Sequence, residues 1–293
     1  MQTILVPIDF TAASENALVY ANKLALRLPA DIVLVHGGPS PGPEQREALL
    51  RRLAALAERL RYQQLTRQSG RRIHYHFHVA NEPLATGLEV LVQGYQASLV
   101  VAGQTLTDCA ATTAGSAPLA LLPEQVSCPV LLVPAGRPEL PGRVVVSGDF
   151  TRLDGRRLAG LPALARLVGA QFELVQFHAP GSAGLAPLKK ALLAAHAQLP
   201  AATIHLLPDD DALEGLSEFV ARQAAQLLVL ATADGCLTRR FFNPHYAKTN
   251  AYHLRIPVLL LPTSTLPSEA CCAQCALRQA AEGRLVRFST VAF

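Results

Sequence analysis

Charge is scarce in this 293-residue chain. Only 16% of the residues are charged, and 26 basic against 22 acidic side chains leave a formal net charge of +4. That excess is mild and spread along the chain, so neither nucleic acid nor an anionic membrane is an expected partner. Long apolar runs are missing too: none approaches the roughly 20 residues needed to span a bilayer. The opening residues, MQTILVPIDF, carry no cationic region and no small-residue cleavage site, so a cytoplasmic location is expected. The six cysteines (Cys109, Cys128, Cys236, Cys271, Cys272 and Cys275) do not form a disulfide framework in a cytoplasmic chain of this size. Catalytic signatures are lacking as well. There is no Gly-x-Ser-x-Gly elbow, no Walker loop, no His-Glu-x-x-His and no evident pair of catalytic carboxylates, so an enzyme is not expected.

What is present is a repeat. ILVPIDFTAASENALVYANKLALRLPADIVLVH runs from Ile4 to His36, and VVVSGDFTRLDGRRLAGLPALARLVGAQFELVQFH runs from Val144 to His178. Each has an apolar strand, then Asp-Phe-Thr, then a helix-period segment, then a second strand ending at histidine. Asp9 and Asp149 are 140 residues apart. Near the ends of the units, SCPVLLVP matches RIPVLLLP, with Pro129 and Pro257 offset by 128, so the second copy is the shorter. Half the residues are hydrophobic, enough for each copy to bury its own core. The boundaries predict a first domain over 1–136, a second over 142–263 and a tail over 264–293.

Strands are predicted near 3–8, 31–36, 72–79, 98–103 and 130–134, with helices near 12–28, 44–68, 84–96 and 115–126. Leu49, Leu53, Leu56 and Leu60 recur at helical spacing on one face. ILVPI, IVLV, SLVVA and VLLV are near-continuous apolar runs, as parallel strands covered on both faces require. The second copy repeats the plan at about 143–148, 171–177, 202–207, 226–231 and 257–261. The fold class is therefore α/β, with two tandem doubly wound parallel sheets and ligands expected beyond the carboxyl ends of the strands.

VPIDFTAASENAL, VLVH, the glycine loop and CPVLLVP together resemble the universal stress protein family, over nearly the whole chain except the tail. The resemblance implies five-stranded sheets of order 3-2-1-4-5, like those of the adenine nucleotide alpha hydrolases. It also implies pairing of the two halves as an intramolecular pseudo-dimer, or of two chains as a homodimer, through apolar faces or the fifth-strand edge. Many members of the family bind ATP, through Gly-x2-Gly-x9-Gly-Ser/Thr after the fourth strand, while others bind no nucleotide. Glycines let the backbone approach phosphate, and the helix N-terminus offers free N–H groups. Here Gly103 fills the first position, but Leu106, Ser116 and Ala117 fill the rest, and the Gly115-Ser116 pair sits one residue early. In the second copy the same positions hold Ala231, Asp234, Pro244 and His245. The expected function is a non-enzymatic stress-response or regulatory module with degenerate nucleotide loops. The alternative is an ATP or AMP sensor through the first domain alone, with Pro7, Asp9, Gly103, Gly115 and Ser116 around the ligand.

Other polar clusters each have a plain reading beside a functional one. Asp-Phe-Thr at 9–11 and 149–151 contacts a ligand or caps the following helix. His74, His76 and His78 share a strand face, either holding a metal or lining a solvated edge. Asp209, Asp210 and Asp211 begin a helix, as dipole partners or as a magnesium site. Cys271, Cys272 and Cys275 in the tail are weak metal candidates, because the ligand count stops at three.

Overall fold

The computed structural model describes residues 2–38, 40–66, 72–104, 126–136, 139–153, 160–162, 165, 169–181, 184–231 and 256–261. Strand β1 (Gln2–Pro7) leads into helix α1 (Ala12–Arg27), β2 (Ala30–His36), α2 (Pro43–Thr66), β3 (Tyr75–Val79), α3 (Leu84–Gly94), β4 (Leu99–Gly103) and β5 (Val130–Val133). The plan then recurs as β6 (Arg143–Ser147), β7 (Gln171–His178), α4 (Leu185–Gln198), β8 (Thr203–Pro208), α5 (Ala212–Arg222), β9 (Leu227–Leu230) and β10 (Val258–Leu260). The third strand begins at Tyr75, three residues later than its sequence pattern suggests.

The expected pair of separate five-stranded sheets is replaced by one continuous sheet. Its order is β3-β2-β1-β4-β5-β10-β9-β6-β7-β8. β5 and β10 pair antiparallel, with Val258 opposite Leu132, Leu259 opposite Leu131 and Leu260 opposite Val130. Every other pairing in the sheet is parallel. The physical reason lies in the strands themselves. All residues of β5 and β10 are buried. As sheet edges they would leave apolar backbone unpaired, and pairing them satisfies the N–H and C=O groups of both.

Alternation along the strands divides the core into two layers. Ile4, Val6, Ile32, Leu34, Leu131, Val146, Leu174 and Leu259 point to the side covered by α1, α2 and α4. Leu5, Val33, Val35, Leu132, Val145, Val175 and Val258 point to the side covered by α3 and α5. Each layer runs unbroken through the β5–β10 seam. No helix among the described residues is long and apolar enough to cross a membrane.

Helix α1 starts where its capping residue stops the strand. Thr11 is the N-cap, its Oγ1 accepting from the Ser14 N–H at 3.3 Å. Within the first half, Asn16 Nδ2 donates to the Pro134 carbonyl at 2.7 Å, tying α1 to the chain leaving β5.

Candidate functional site

Parallel units of this kind gather their loops at the carboxyl ends of the strands. In the first half these are the ends of β1, β2 and β4. Asp9 lies just past β1, and its Oδ1 accepts from the Thr11 N–H at 2.9 Å and from Thr11 Oγ1 at 2.6 Å. The Asp-Phe-Thr motif is thus a two-step cap: Asp9 fixes Thr11, and Thr11 caps the helix. Phe10 between them takes a left-handed backbone, φ 63°, to turn the chain. Burial pushes the Asp9 carboxyl upward. Hydrogen bonds from the side chains of Ser14 and Thr11 and from the Thr11 backbone outweigh it and hold the pKa below the ordinary 3.8. A lowered carboxyl pKa adds stability above the unfolded value, and that stability is lost as pH falls through the folded value. Wild-type urea midpoints are therefore expected to drop as pH falls below about 4, and Asp9→Asn should flatten that drop. Parallel curves for the two proteins would show that Asp9 carries none of it.

Beyond Asp9, His36 closes β2. A carbonyl only accepts, so the 2.7 Å contact between His36 Nδ1 and the Ile8 oxygen places the proton on Nδ1. The ring lies 5.0 Å from that of Phe10, and the Arg52 guanidinium sits 3.8 Å from the Phe10 ring centre. Phe10, next to Asp9 in the chain, thus contacts both His36 and Arg52, with the cation over the ring face where it is attracted.

Gly103 has a structural reason to be glycine. A Cβ there would stand 2.5 Å from the carbonyl carbon and oxygen of Ala13, both backbone atoms of the first turn of α1. The close approach of β4 to α1 accounts for it with no ligand present. Gln104, the next residue, donates its N–H to the Val133 carbonyl at 2.7 Å, while its buried Oε1 has no partner. Pro7 ends β1 half-buried. Of the five residues predicted around a ligand, Pro7, Asp9 and Gly103 come together at this end of the sheet. Gly115 and Ser116 lie outside the described residues, as do Leu106, Ala117, Asp234, Pro244 and His245. The tail cysteines Cys271, Cys272 and Cys275 also lie outside them.

The second half repeats the frame with altered contents. Asp149 Oδ1 accepts from the Thr151 N–H at 3.0 Å and from Thr151 Oγ1. The shared terminal histidines of β2 and β7, however, are not equivalent, contrary to the sequence match. Ile4 pairs with Ile32 and Val144 with Phe172, the same offset of 140 on both strands. By that register the counterpart of His36 is Gln176, and His178 lies two residues further out. The strands end on the same residue type only because β7 is longer. His178 Nδ1 turns instead to the Ala179 carbonyl at 3.0 Å. The glycine has moved too. The position of Gly103 holds Ala231, and the position of Ile8 holds Gly148, where a Cβ would lie 1.9 Å from the Ala231 oxygen.

The histidines of the first half and the aspartates before α5 make local contacts. His76 on β3 and His74 just before it are exposed along the sheet edge. His78 is half-buried, 3.1 Å by Nδ1 from the Tyr95 hydroxyl. Burial lowers the His78 pKa, and the nearby Arg46 lowers it further. Register makes His205 on β8 its counterpart, since Val35 faces His78 and Val175 faces His205. Sequence reading passed over His205, whose Nε2 meets Glu173 Oε2 at 2.6 Å. Of the three aspartates, only Asp211 caps α5, accepting from the Leu213 N–H at 2.9 Å; Asp209 accepts from the Asp211 N–H. No group of three or more His, Cys, Asp or Glu among the described residues is placed to hold a metal. The Cys128 thiol is buried, and that burial, with Glu89 near it, pushes its pKa up to about 12.

This frame of parallel strands, helices on both faces and loops at the carboxyl ends defines a doubly wound α/β protein. Residues 1–134 match the family model of the universal stress proteins. The chain is similar to the crystal structure of a universal stress protein from Archaeoglobus fulgidus, with 13% identity and a TM-score of 0.64 over 89% of this chain and 96% of that one. It is also similar to a Pseudomonas aeruginosa protein described as functionally unknown, with 18% identity and a TM-score of 0.55 over 89% and 92%. At such identities the likeness is one of fold. None of the curated proteins matches the chain in sequence.

Proposed function

We propose that the chain is a tandem universal-stress-type protein, a non-enzymatic stress-response or regulatory module whose two halves pair within one molecule. The supporting observation is Gly103. The one glycine that fits the family's phosphate pattern is accounted for by the backbone of Ala13, so it is no argument for a ligand. Leu106, Ser116 and Ala117 then stand where a phosphate loop needs glycine and hydroxyl. The fifth strands meet within the chain, which supports reading the molecule as a pseudo-dimer that needs no second copy at that edge.

The second reading, an ATP or AMP sensor through the first half, draws on Asp9. That carboxylate is exposed at the carboxyl end of β1, its pKa is lowered, and it stands beside Pro7 and Gly103. Calorimetric titration of the intact protein with ATP and with AMP separates the two. The module reading expects no heat at millimolar nucleotide. Saturable heat that disappears in Asp9→Asn would replace it with the sensor.

A further inference from the structure

An arginine fastens the outer edge of the first half to α2. β3 has a neighbouring strand on one side only, and the Ala80 N–H donates inward to the His36 carbonyl at 2.8 Å. The carbonyl of the same peptide link, that of Val79, therefore points away from the sheet. Arg46, in the first turn of α2, reaches it: Nη2 donates to the Val79 oxygen and Nη1 to Asn81 Oδ1, both at 2.8 Å. Both acceptors are neutral, and no carboxylate pairs with Arg46 among the described residues. His78, the residue before Val79, has Val35 opposite it on β2, His76 two residues back on its own strand and the Tyr95 hydroxyl from the end of α3. The carboxylates around it are engaged elsewhere or stand further off. Glu82 Oε1 lies over Gly87, 2.6 Å from where a Cβ would be, and Glu89 accepts from the Ser127 N–H at 2.8 Å and Gln93 Nε2 at 2.7 Å. Asp31 lies at the far end of β2, level with His74 by the strand register. In the second half the counterpart ring, His205, does have a carboxylate beside it, that of Glu173. By register, Val33 takes the place of Glu173 in the first half.

We propose that Arg46 and His78 form an acid-released latch, which holds the start of α2 to the outer strand at neutral pH and lets it go when the His78 ring takes up a proton. The Tyr95 hydroxyl neither drives nor opposes this, because it donates to a bare Nδ1 and accepts from a protonated one. What the proton meets is a half-buried site with a cation close by and no carboxylate to offset it. Arg46 is the partner that can leave. Its bonds run to neutral acceptors, its side chain is long, and water solvates the freed guanidinium. The sign follows from the lowered His78 pKa, set first by burial and then by Arg46. Above the ordinary 6.5 the ring is neutral whether the latch is closed or open, and the closed state keeps its full stability. As pH falls below 6.5 toward the closed-state value, the open state binds the proton better and the latch weakens. The second half, with Glu173 beside its histidine, has no such device.

Hydrogen exchange of the full chain, read by mass spectrometry at about pH 7.5 and about pH 4.5 with intrinsic rates divided out, tests the latch. Protection over residues 43–50 and 79–84 is expected to fall roughly tenfold or more in acid, the scale of losing one hydrogen bond to a charged group. β1, β2 and β8 should keep theirs. His78→Gln, whose side chain takes up no proton, should abolish the step, and Arg46→Gln should show the lower protection at both pH values. Slow exchange at the histidine C2 carbon reports the ring's own titration. Removing Arg46 should raise the His78 midpoint, which a merely structural arginine would leave in place. No loss of protection in acid, a loss that persists in His78→Gln, or an unmoved His78 midpoint in Arg46→Gln each overturns the proposal.

Discussion

Leu132→Asp is expected to destabilise the protein by about 4 kcal/mol or more, the scale of an unpaired charge placed in a core. Leu132 is fully buried and sits opposite Val258, itself fully buried, in the seam between β5 and β10. Its side chain belongs to the layer that runs under α3 and α5 through both halves. A carboxylate there would lie among Val130, Val258 and Leu260, the apolar residues that share its layer at the seam. The damage should also change the form of unfolding. With the seam intact, one continuous sheet favours a single cooperative transition; with it broken, each half keeps its own five strands and should melt separately. Urea unfolding followed by circular dichroism reads both effects. Leu193→Asp is the control, because Leu193 is 55% exposed and a surface change of this type stays within about 0.5 kcal/mol. A Leu132→Asp protein that unfolds in one transition near the wild-type midpoint would show that the seam bears little of the fold.

Gly148→Ala is expected to lower stability by about 3 kcal/mol, at or beyond the upper end of ordinary overpacking. A single methyl group does this because of what it meets. The new Cβ would stand 1.9 Å from the Ala231 oxygen and 2.7 Å from its carbonyl carbon. Neither atom is free to retreat, since the Ala231 N–H donates to the Ser147 carbonyl at 2.8 Å and the Leu261 N–H to the Leu230 carbonyl at 3.2 Å. The strain must therefore separate β6 from β9. For a chain of this size, 3 kcal/mol corresponds to a fall in Tm of roughly 6–12 °C. Gly103→Ala should act in the same direction against Ala13. Gly160→Ala meets nothing within 4 Å and should leave Tm unchanged or slightly higher. Equal melting of the Gly148 and Gly160 variants would remove the close-approach explanation for both halves.

The repeat was legible because Asp-Phe-Thr does the same local work twice. Asp9 with Thr11 and Asp149 with Thr151 make the same short-range bonds, and such bonds depend only on neighbours in sequence. The strands were legible for a related reason: runs such as VLLV announce burial on both faces. What those runs do not announce is who their neighbours are. VLLV at 130–133 looks the same whether it is an edge of one sheet or the middle of another, so the sequence left fifth-strand pairing as one of two modes beside pairing through apolar faces. The exchange of His36 for Gln176 was hidden similarly. Both second strands end in histidine, and only strand register shows that β7 runs further before reaching its own. Gly103 misled in the opposite sense. A glycine after a fourth strand looks like a phosphate contact until Ala13, ninety residues earlier in the chain, is seen against it.

The antiparallel seam has a further effect on how such a molecule can change over time. When two identical chains meet at an edge, every substitution enters twice, and the contact itself weakens on dilution. When the two sides belong to one chain, the partner is held at a fixed high effective concentration, and each side mutates alone. Ile8 and Gly148, Gly103 and Ala231, His36 and Gln176 are three such divergences beneath one shared frame. Covalent pairing lets one half drift in chemistry while the other keeps the scaffold upright.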